Sequence, residues 1–172
     1  MKKVKGFTLV ELIVVIAIIV VLAVILVPAL MGWVVKSRIT TYNNNASEVC
    51  SQLQTVITEM STDKNISYDV PDCTIVYSGG SITGVTDPGA SAKILGINNN
   101  LTDISGVEWA AKVENQTVKS VVISGNNCTN VGGFPIQCPK DQKFSMTSSD
   151  ITDYVDCAIG ANGKNWDTYR KR

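Results

Sequence analysis

Residues 5–12, Lys5-Gly6-Phe7-Thr8-Leu9-Val10-Glu11-Leu12, decide the fold of this 172-residue chain because they open a long apolar run. From Leu12 to Met31 the run has twenty consecutive residues without a charged or strongly polar side chain. A helix rises 1.5 Å per residue, so this stretch would span roughly 30 Å, the thickness of the hydrocarbon core of a bilayer. The sequence therefore predicts one membrane-spanning helix near the N-terminus.

Glu11 is the one charged residue within the apolar run from Gly6 to Val35. An ionised carboxylate among lipid tails costs at least ~2.5 kcal/mol, and such residues usually mark a function with a nearby partner. The alternative is a glutamate that only reaches the interface, one turn from the helix start, where the helix dipole favours it. A plain signal anchor leaves Glu11 unexplained, and a secretory signal would have an apolar core of about 7 to 15 residues before a small-x-small cleavage site. We therefore expect a partner that neutralises Glu11.

The charges that flank the run indicate its orientation. Lys2, Lys3 and Lys5 precede it, whereas only Lys36 and Arg38 closely follow it. This asymmetry favours a cytoplasmic N-terminus, with the rest of the chain exported.

Nucleic acid is not predicted as the main partner, because the chain has 15 basic and 15 acidic residues and a formal net charge of zero. The basic and aromatic C-terminus, Tyr169-Arg170-Lys171-Arg172, could contact nucleic acid. A solvated tail is the alternative interpretation of the same residues.

The cysteines all follow the apolar run, on the side predicted to lie outside the cytoplasm, where disulfides form. With five cysteines, at least one thiol is unpaired or bonded to another chain, and the sequence does not choose among the possible pairings. There is no CxxC pair and no histidine, so no metal site is predicted. The five are Cys50, Cys73, Cys128, Cys138 and Cys157.

Residues 5–12, after a short basic leader and before a long apolar helix, resemble the prepilin signature of type IV pilins and type II secretion pseudopilins. The resemblance covers residues 1 to about 36 closely and the rest only in general layout. One departure is Val20, where many relatives have a small residue such as glycine. The resemblance implies that a prepilin peptidase cuts between Gly6 and Phe7 on the cytoplasmic side and then methylates the new amine of Phe7.

Cleavage would supply the partner that Glu11 lacks. The freed amine of Phe7 is a cation one helical turn before Glu11, and in relatives the equivalent glutamate is thought to pair with this amine on a neighbouring subunit. A paired charge in lipid costs much less than an unpaired one. The resemblance thus assigns Glu11 as the charge that guides filament assembly.

Pro28 and Gly32 are the predicted kink of this helix. Proline removes a helical hydrogen bond and clashes with the preceding turn, and Gly32 adds flexibility four residues later. Relatives have a proline at the matching place, where the helix can unwind within the filament. A tolerated kink in a membrane helix is the alternative.

An apolar stripe at steps of three or four residues predicts that the helix continues as an amphipathic segment to about Ser61 and packs on a sheet. Its members are Ile39, Tyr42, Ala46, Val49, Leu53, Val56 or Ile57, and Met60, with Cys50 on the same face. Strands are expected after Thr62. They are Cys73–Tyr77, Val107–Glu114 and Val118–Ser124, with shorter candidates at Phe134–Cys138, Lys143–Met146 and Tyr154–Ile159, while Thr86–Asn100 is expected to be a loop.

The predicted fold is therefore α+β, a long bent N-terminal helix packed on a C-terminal antiparallel sheet, the ladle-like layout that the resemblance also implies. Its expected parts are a cleaved leader (1–6), a membrane and filament-core half-helix (7–35), an amphipathic half-helix (36–61) and a β-rich head (62–172). In many pilins a disulfide closes a C-terminal loop, and this resemblance favours a Cys138–Cys157 disulfide, with Cys50–Cys73 as the second bridge. Cys128 could replace any member of either pair.

No catalytic constellation is recognisable: there is no Ser/His/Asp set, Cys/His pair, phosphate loop or EF-hand loop. We therefore predict a protein that is not an enzyme and needs no cofactor. The predicted function is a structural subunit of a type IV pilus, serving surface adhesion, twitching motility or DNA uptake. Expected partners are identical or related subunits, the prepilin peptidase, the inner-membrane assembly machinery and, before assembly, the membrane. The alternatives are a type II secretion pseudopilin and a monomeric membrane-anchored binding domain.

Overall fold

The computed structural model describes residues 7–63, 68–97, 106–125, 131–140 and 151–169. The chain divides into two compact units, Met1–Lys36 and Ser37–Arg172. Its helices are α1 (Leu9–Thr62), α2 (Pro88–Leu95) and α3 (Ile151–Ile159), followed by short 3-10 turns at Ala161–Gly163 and Trp166–Tyr169. Its strands are β1 (Cys73–Ser78), β2 (Ser81–Thr83), β3 (Glu108–Glu114), β4 (Thr117–Ser124) and β5 (Val131–Phe134).

The strands form one antiparallel sheet in the order β2-β1-β3-β4-β5. On the central strand β3, Trp109 lies opposite Tyr77 of β1 and Ile123 of β4. A long helix followed by an antiparallel sheet confirms the predicted α+β fold. The strands predicted at Cys73–Tyr77 and Val118–Ser124 are β1 and β4.

In the second unit, α1 buries one face against the sheet, as the apolar stripe predicts. The buried positions along α1 recur mainly every three or four residues, which is the period of a helix, and the last of them is Met60. The helix itself ends at Thr62, one residue beyond the predicted Ser61. The facing side chains of the sheet alternate along β3 and β4, which places them on a single face. The shared core contains Ala46, Val49, Leu53, Ile57 and Met60 of α1 with Ile75, Trp109, Ala111, Val113, Val121 and Ile123 of the sheet.

Asn43 is a buried polar residue of α1 that the apolar pattern did not reveal. Its side-chain oxygen accepts hydrogen bonds from the backbone N–H groups of Gly133 (2.9 Å) and Cys138 (3.0 Å). Its amide nitrogen donates to the carbonyl of Cys138 at 3.0 Å. These bonds satisfy backbone groups that would otherwise be buried without partners, so Asn43 fastens the chain after β5 to α1.

Helix α3 covers the opposite face of the sheet, and here the sequence prediction was wrong. Residues Tyr154–Ile159 were expected to be a strand because they are rich in aromatic and β-branched side chains. The structure instead buries Ile151, Tyr154, Val155 and Ala158, a helical spacing. Because both faces of the sheet are covered, Ala110 of β3 is also buried.

Two further predictions need correction. The expected loop Thr86–Asn100 contains a helix, α2. The Asp87 carboxylate caps its first turn by accepting the N–H of Ala90 at 2.7 Å, and Pro88 occupies the first helical turn, where its missing N–H is not needed. The expected strand Phe134–Cys138 is displaced, since β5 ends at Phe134 and Pro135 has no N–H to continue the ladder. The candidate strand Lys143–Met146 lies outside the described residues.

An ion-pair network joins α3, the chain that follows it and β3. The Lys164 ammonium lies 2.8 Å from a carboxylate oxygen of Asp153 and 3.7 Å from one of Asp156. Asp156 is also approached by the Lys112 ammonium of β3 at 3.4 Å. Because Asp156 lies between two cations, it links the C-terminal segment to the sheet.

The network lowers the pKa of both carboxyl groups. The hydrogen bond from Lys164 is the main cause of the lowered pKa of Asp153. Burial raises the pKa of Asp156, but hydrogen bonds from Asn162 and Lys112, together with the charges of Lys112 and Lys164, outweigh it. The net pKa lies below the usual value of 3.8. Both groups therefore stabilise the fold above pH 3.8 and lose this contribution as the pH falls through their lowered folded-state pKa values.

We expect the thermal midpoint of the full-length protein in detergent to fall as the pH drops below about 4, and the Asp156→Asn variant to lose less over the same interval. The neutral amide has no proton to take up, so this part of the acid sensitivity is removed. Calorimetry or circular dichroism between pH 2 and pH 7 would measure it. Asp69→Asn is the control, because Asp69 is exposed and no ion pair joins it to the described residues. An equal acid loss in all three proteins would contradict the assignment.

Candidate functional site

The first turn of α1 is closed by a reciprocal pair of hydrogen bonds between Thr8 and Glu11. The backbone N–H and the hydroxyl of Thr8 both donate to Oε2 of Glu11, at 2.8 and 2.7 Å. In return, the N–H of Glu11 donates to the Thr8 hydroxyl oxygen at 3.3 Å. This is a capping box, in which two N–H groups without helical partners at a helix start are satisfied by side chains.

The capping box uses one oxygen of the Glu11 carboxylate, Oε2, and leaves the other, Oε1, available to accept a hydrogen bond. Oε1 of Glu11 has no hydrogen-bond partner among residues 7–63 or in the other described ranges. A carboxylate can accept on both oxygens, so Oε1 is open to a donor from outside the chain. Phe7, whose amine the peptidase would free, precedes the box and is 86% exposed. Gly6, on the other side of the predicted cleavage bond, lies outside the described residues.

The helix that follows presents an apolar surface without cover. Every residue from Phe7 to Val34 is exposed. By length and composition α1 is the one described helix that could cross a membrane. A surface of this size in water would be covered by lipid or by other proteins, because exposed apolar patches on soluble monomers are far smaller.

The predicted kink residues lie within α1, which includes Pro28 in its span. A side chain added at Gly32 would meet no atom within 4 Å, so neighbouring groups do not require glycine here. The kink at these two residues remains a prediction.

Four of the five cysteines lie in described segments, where they are free thiols. Cys138 and Cys157 are buried. Burial raises the pKa of Cys138 to about 12 and that of Cys157 to about 11. Cys50 and Cys73 belong to or border the core between α1 and the sheet. Both predicted disulfides, Cys138–Cys157 and Cys50–Cys73, remain predictions, and Cys128 lies outside the described residues.

Within the described ranges, no group of three or more His, Cys, Asp or Glu side chains could hold a metal ion.

Sequence reasoning found Glu11 but missed Thr8. The signal was present, because Thr-x-x-Glu immediately before an apolar run is the sequence pattern of a capping box. Glu11 was treated as a charge in need of one partner, whereas the structure gives it a first partner within its own chain.

Together, the uncovered apolar helix, the carboxylate at its start and the folded sheet define a class of protein: a head carried on a helix that must be buried in lipid or among other subunits. Residues 1–27 match the family model of the prokaryotic N-terminal methylation motif. The chain thus carries the signature of type IV pilins and pseudopilins, and its α+β layout is that of the pilin fold. Searches of curated proteins and of solved structures found no match. The motif implies a structural subunit that a prepilin peptidase processes and that assembles with related subunits.

Replacing Thr8 by valine should loosen the first turn of α1, because two of the three capping-box bonds use its hydroxyl. Loss of a cap costs about 1 kcal/mol, which corresponds to about fivefold faster hydrogen exchange at the Glu11 amide. Nuclear magnetic resonance of the full-length protein in micelles would measure this rate. Thr8→Ser keeps the hydroxyl and should exchange like the wild type. Equal rates in all three proteins would show that the box does not hold the turn.

Proposed function

We propose that this protein is a structural subunit of a type IV pilus, processed between Gly6 and Phe7 and assembled by packing of its N-terminal helices. The observation that carries the proposal is the capping box with its open Glu11 oxygen at the start of an uncovered apolar helix. A surface filament would serve adhesion, twitching motility or DNA uptake.

The arrangement suits recognition between subunits. Thr8 fixes the rotamer of Glu11 by binding Oε2 twice, so Oε1 is presented in a defined direction. The methylated amine of Phe7 on a neighbouring subunit would donate to this oxygen and add the opposite charge. Charge-assisted hydrogen bonds of this kind are roughly twice as strong as neutral ones. Each incoming subunit would therefore be held at the same height along the filament.

The location of this pair adds to its strength. Away from water, a charge without a counter-charge is costly, and a paired and hydrogen-bonded charge is much less so. A subunit that finds its neighbour thus gains free energy that an isolated subunit lacks. The exposed residues from Phe7 to Val34 would then exchange lipid contacts for contacts with other helices.

A type II secretion pseudopilin would have the same motif and the same helix, so the distinction lies in what the cell loses. Deleting the gene should remove the surface filaments that negative-stain electron microscopy shows on wild-type cells, while proteins that depend on type II secretion still reach the medium. Retained filaments together with lost secretion would identify a pseudopilin. A membrane-anchored monomer would form no filament in either strain.

Intact-mass measurement of the protein from surface filaments tests the processing step directly. The expected mass is that of a chain beginning at Phe7 with one added methyl group. A chain that still begins at Met1 would reject peptidase processing, and a chain that begins at an unmethylated Phe7 would reject the methylation step. The same spectrum with and without a reducing agent would count the disulfides among the five cysteines.

A further inference from the structure

The apolar surface of α1 ends at an aromatic residue with an unusual environment. Trp33 lies near the end of the uncharged stretch, which continues to Val35, and it is 75% exposed. Lys36 follows three residues later, on the same side of the helix, and is also exposed. The order along α1 is therefore apolar residues, then an indole, then a cation.

The indole N–H of Trp33 distinguishes it from the aliphatic residues before it. In the described part of the chain, this N–H has no hydrogen-bond acceptor. By contrast, Trp166 of the head donates its own indole N–H to the carbonyl of Ile136 at 3.1 Å. An indole placed among lipid tails would leave its donor unsatisfied, whereas the membrane interface offers lipid carbonyl and phosphate oxygens and water.

The spacing along the helix places two polar features at opposite faces of a bilayer. From Glu11 to Trp33 the helix rises about 33 Å, slightly more than the roughly 30 Å of a hydrocarbon core. If the Trp33 ring lies at one interface, the Thr8–Glu11 capping box lies at the other. Tryptophan is enriched at such interfaces, and lysine near a helix end extends its ammonium toward the phosphates.

We propose that Trp33 and Lys36 form an anchor for phospholipid headgroups on the non-cytoplasmic face of the membrane and fix the depth of the unassembled subunit. The indole donates to lipid carbonyl or phosphate oxygens, and the ammonium approaches the phosphates. The anchor thereby holds Glu11 at the cytoplasmic interface, where the peptidase acts and an incoming subunit meets it. This inference rests on the part of the proposed function in which the subunit lies in the membrane before it assembles.

Depth-dependent fluorescence quenching tests the anchor. The mature full-length protein is placed in nanodiscs of phosphatidylcholine and phosphatidylglycerol with bromine atoms either near the headgroups or near the middle of the acyl chains. Trp109 and Trp166 are buried in the head and provide a constant background. Bromines near the headgroups should quench more strongly, and the Trp33→Phe variant should lose the difference. Equal or stronger quenching by the mid-chain bromines would overturn the proposal.

Two variants, Lys36→Gln and Trp33→Phe, separate this inference from the proposed function. Lys36→Gln should shift the quenching toward the mid-chain bromines, because the ammonium no longer interacts with the lipid phosphates. An unchanged quenching profile would show that Lys36 is not part of the anchor. Trp33→Phe should still assemble filaments, since it keeps an apolar ring. If that variant loses its filaments while the wild type is quenched mainly by mid-chain bromines, Trp33 packs between subunits, and the anchor is rejected. Absence of filaments from wild-type cells would reject the pilus and leave the quenching result standing.

Discussion

Cells that express the Glu11→Ala variant should show no surface filaments, although the head folds and the helix still enters the membrane. Alanine removes the carboxylate that would accept the neighbouring amine and breaks the capping box. In the proposed filament it would also leave the Phe7 amine of each neighbouring subunit without a counter-charge in an apolar surrounding. Removing one partner of a buried ion pair costs about 3 kcal/mol or more, a more than hundredfold loss at every addition of a subunit.

Immunogold electron microscopy, together with an immunoblot of membrane-bound and surface protein, would measure this result. Glu11→Gln keeps the shape of the side chain and one acceptor oxygen but removes the charge. It therefore separates the effect of losing the charge pair with the Phe7 amine from the effect of changing the helix packing. Glu59→Ala is the matched control, because Glu59 is another exposed glutamate of α1, located in the head. Normal filaments in Glu11→Ala, or equal losses in both alanine variants, would contradict the assembly role of Glu11.

The start of α1 shows how far a local pattern can predict a site. The order of glycine, apolar residue, threonine and glutamate before a long apolar run located the site from the sequence alone. The Thr8–Glu11 bonds could also have been predicted, because a capping box depends on residues three apart in the same turn. The opening at Oε1 could not, because it depends on which carboxylate oxygen the threonine occupies.

The head shows the limit of periodicity. The stripe along α1 and the strand β3 followed from spacing, because each buries side chains at the period of its own backbone. Strand β1 followed from its β-branched and aromatic composition. Helix α3 was missed because Tyr154, Val155 and Ile159 favour strands by composition, while a partner sheet distant in sequence decides their conformation. Asn43 was missed for a similar reason: its partners are backbone groups about ninety positions away along the chain.

Strand β5 approaches α1 closely at Gly132. A Cβ atom at this position would overlap the backbone carbonyl of Tyr42 and the backbone nitrogen of Asn43. Backbone atoms in the middle of a helix do not move aside as a flexible side chain would. The same strand precedes the segment that Asn43 fastens, so any separation of α1 and β5 also stretches the hydrogen bond from Gly133 to Asn43.

The Gly132→Ala variant should therefore lose about 3 kcal/mol or more of the free energy of unfolding, at or above the upper end of the usual cost of overpacking a core. The methyl group forces α1 away from β5 and weakens the Asn43 hydrogen bonds together with the packing around them. Urea unfolding of the full-length protein in detergent, followed by near-ultraviolet circular dichroism, would measure the loss. Gly96→Ala is the matched control, because a Cβ there meets no atom within 4 Å and its backbone φ of −59° suits alanine. If the two variants unfold at the same urea concentration, the contact between β5 and α1 is looser than the structure has it, and Gly132 is not required for the head to fold.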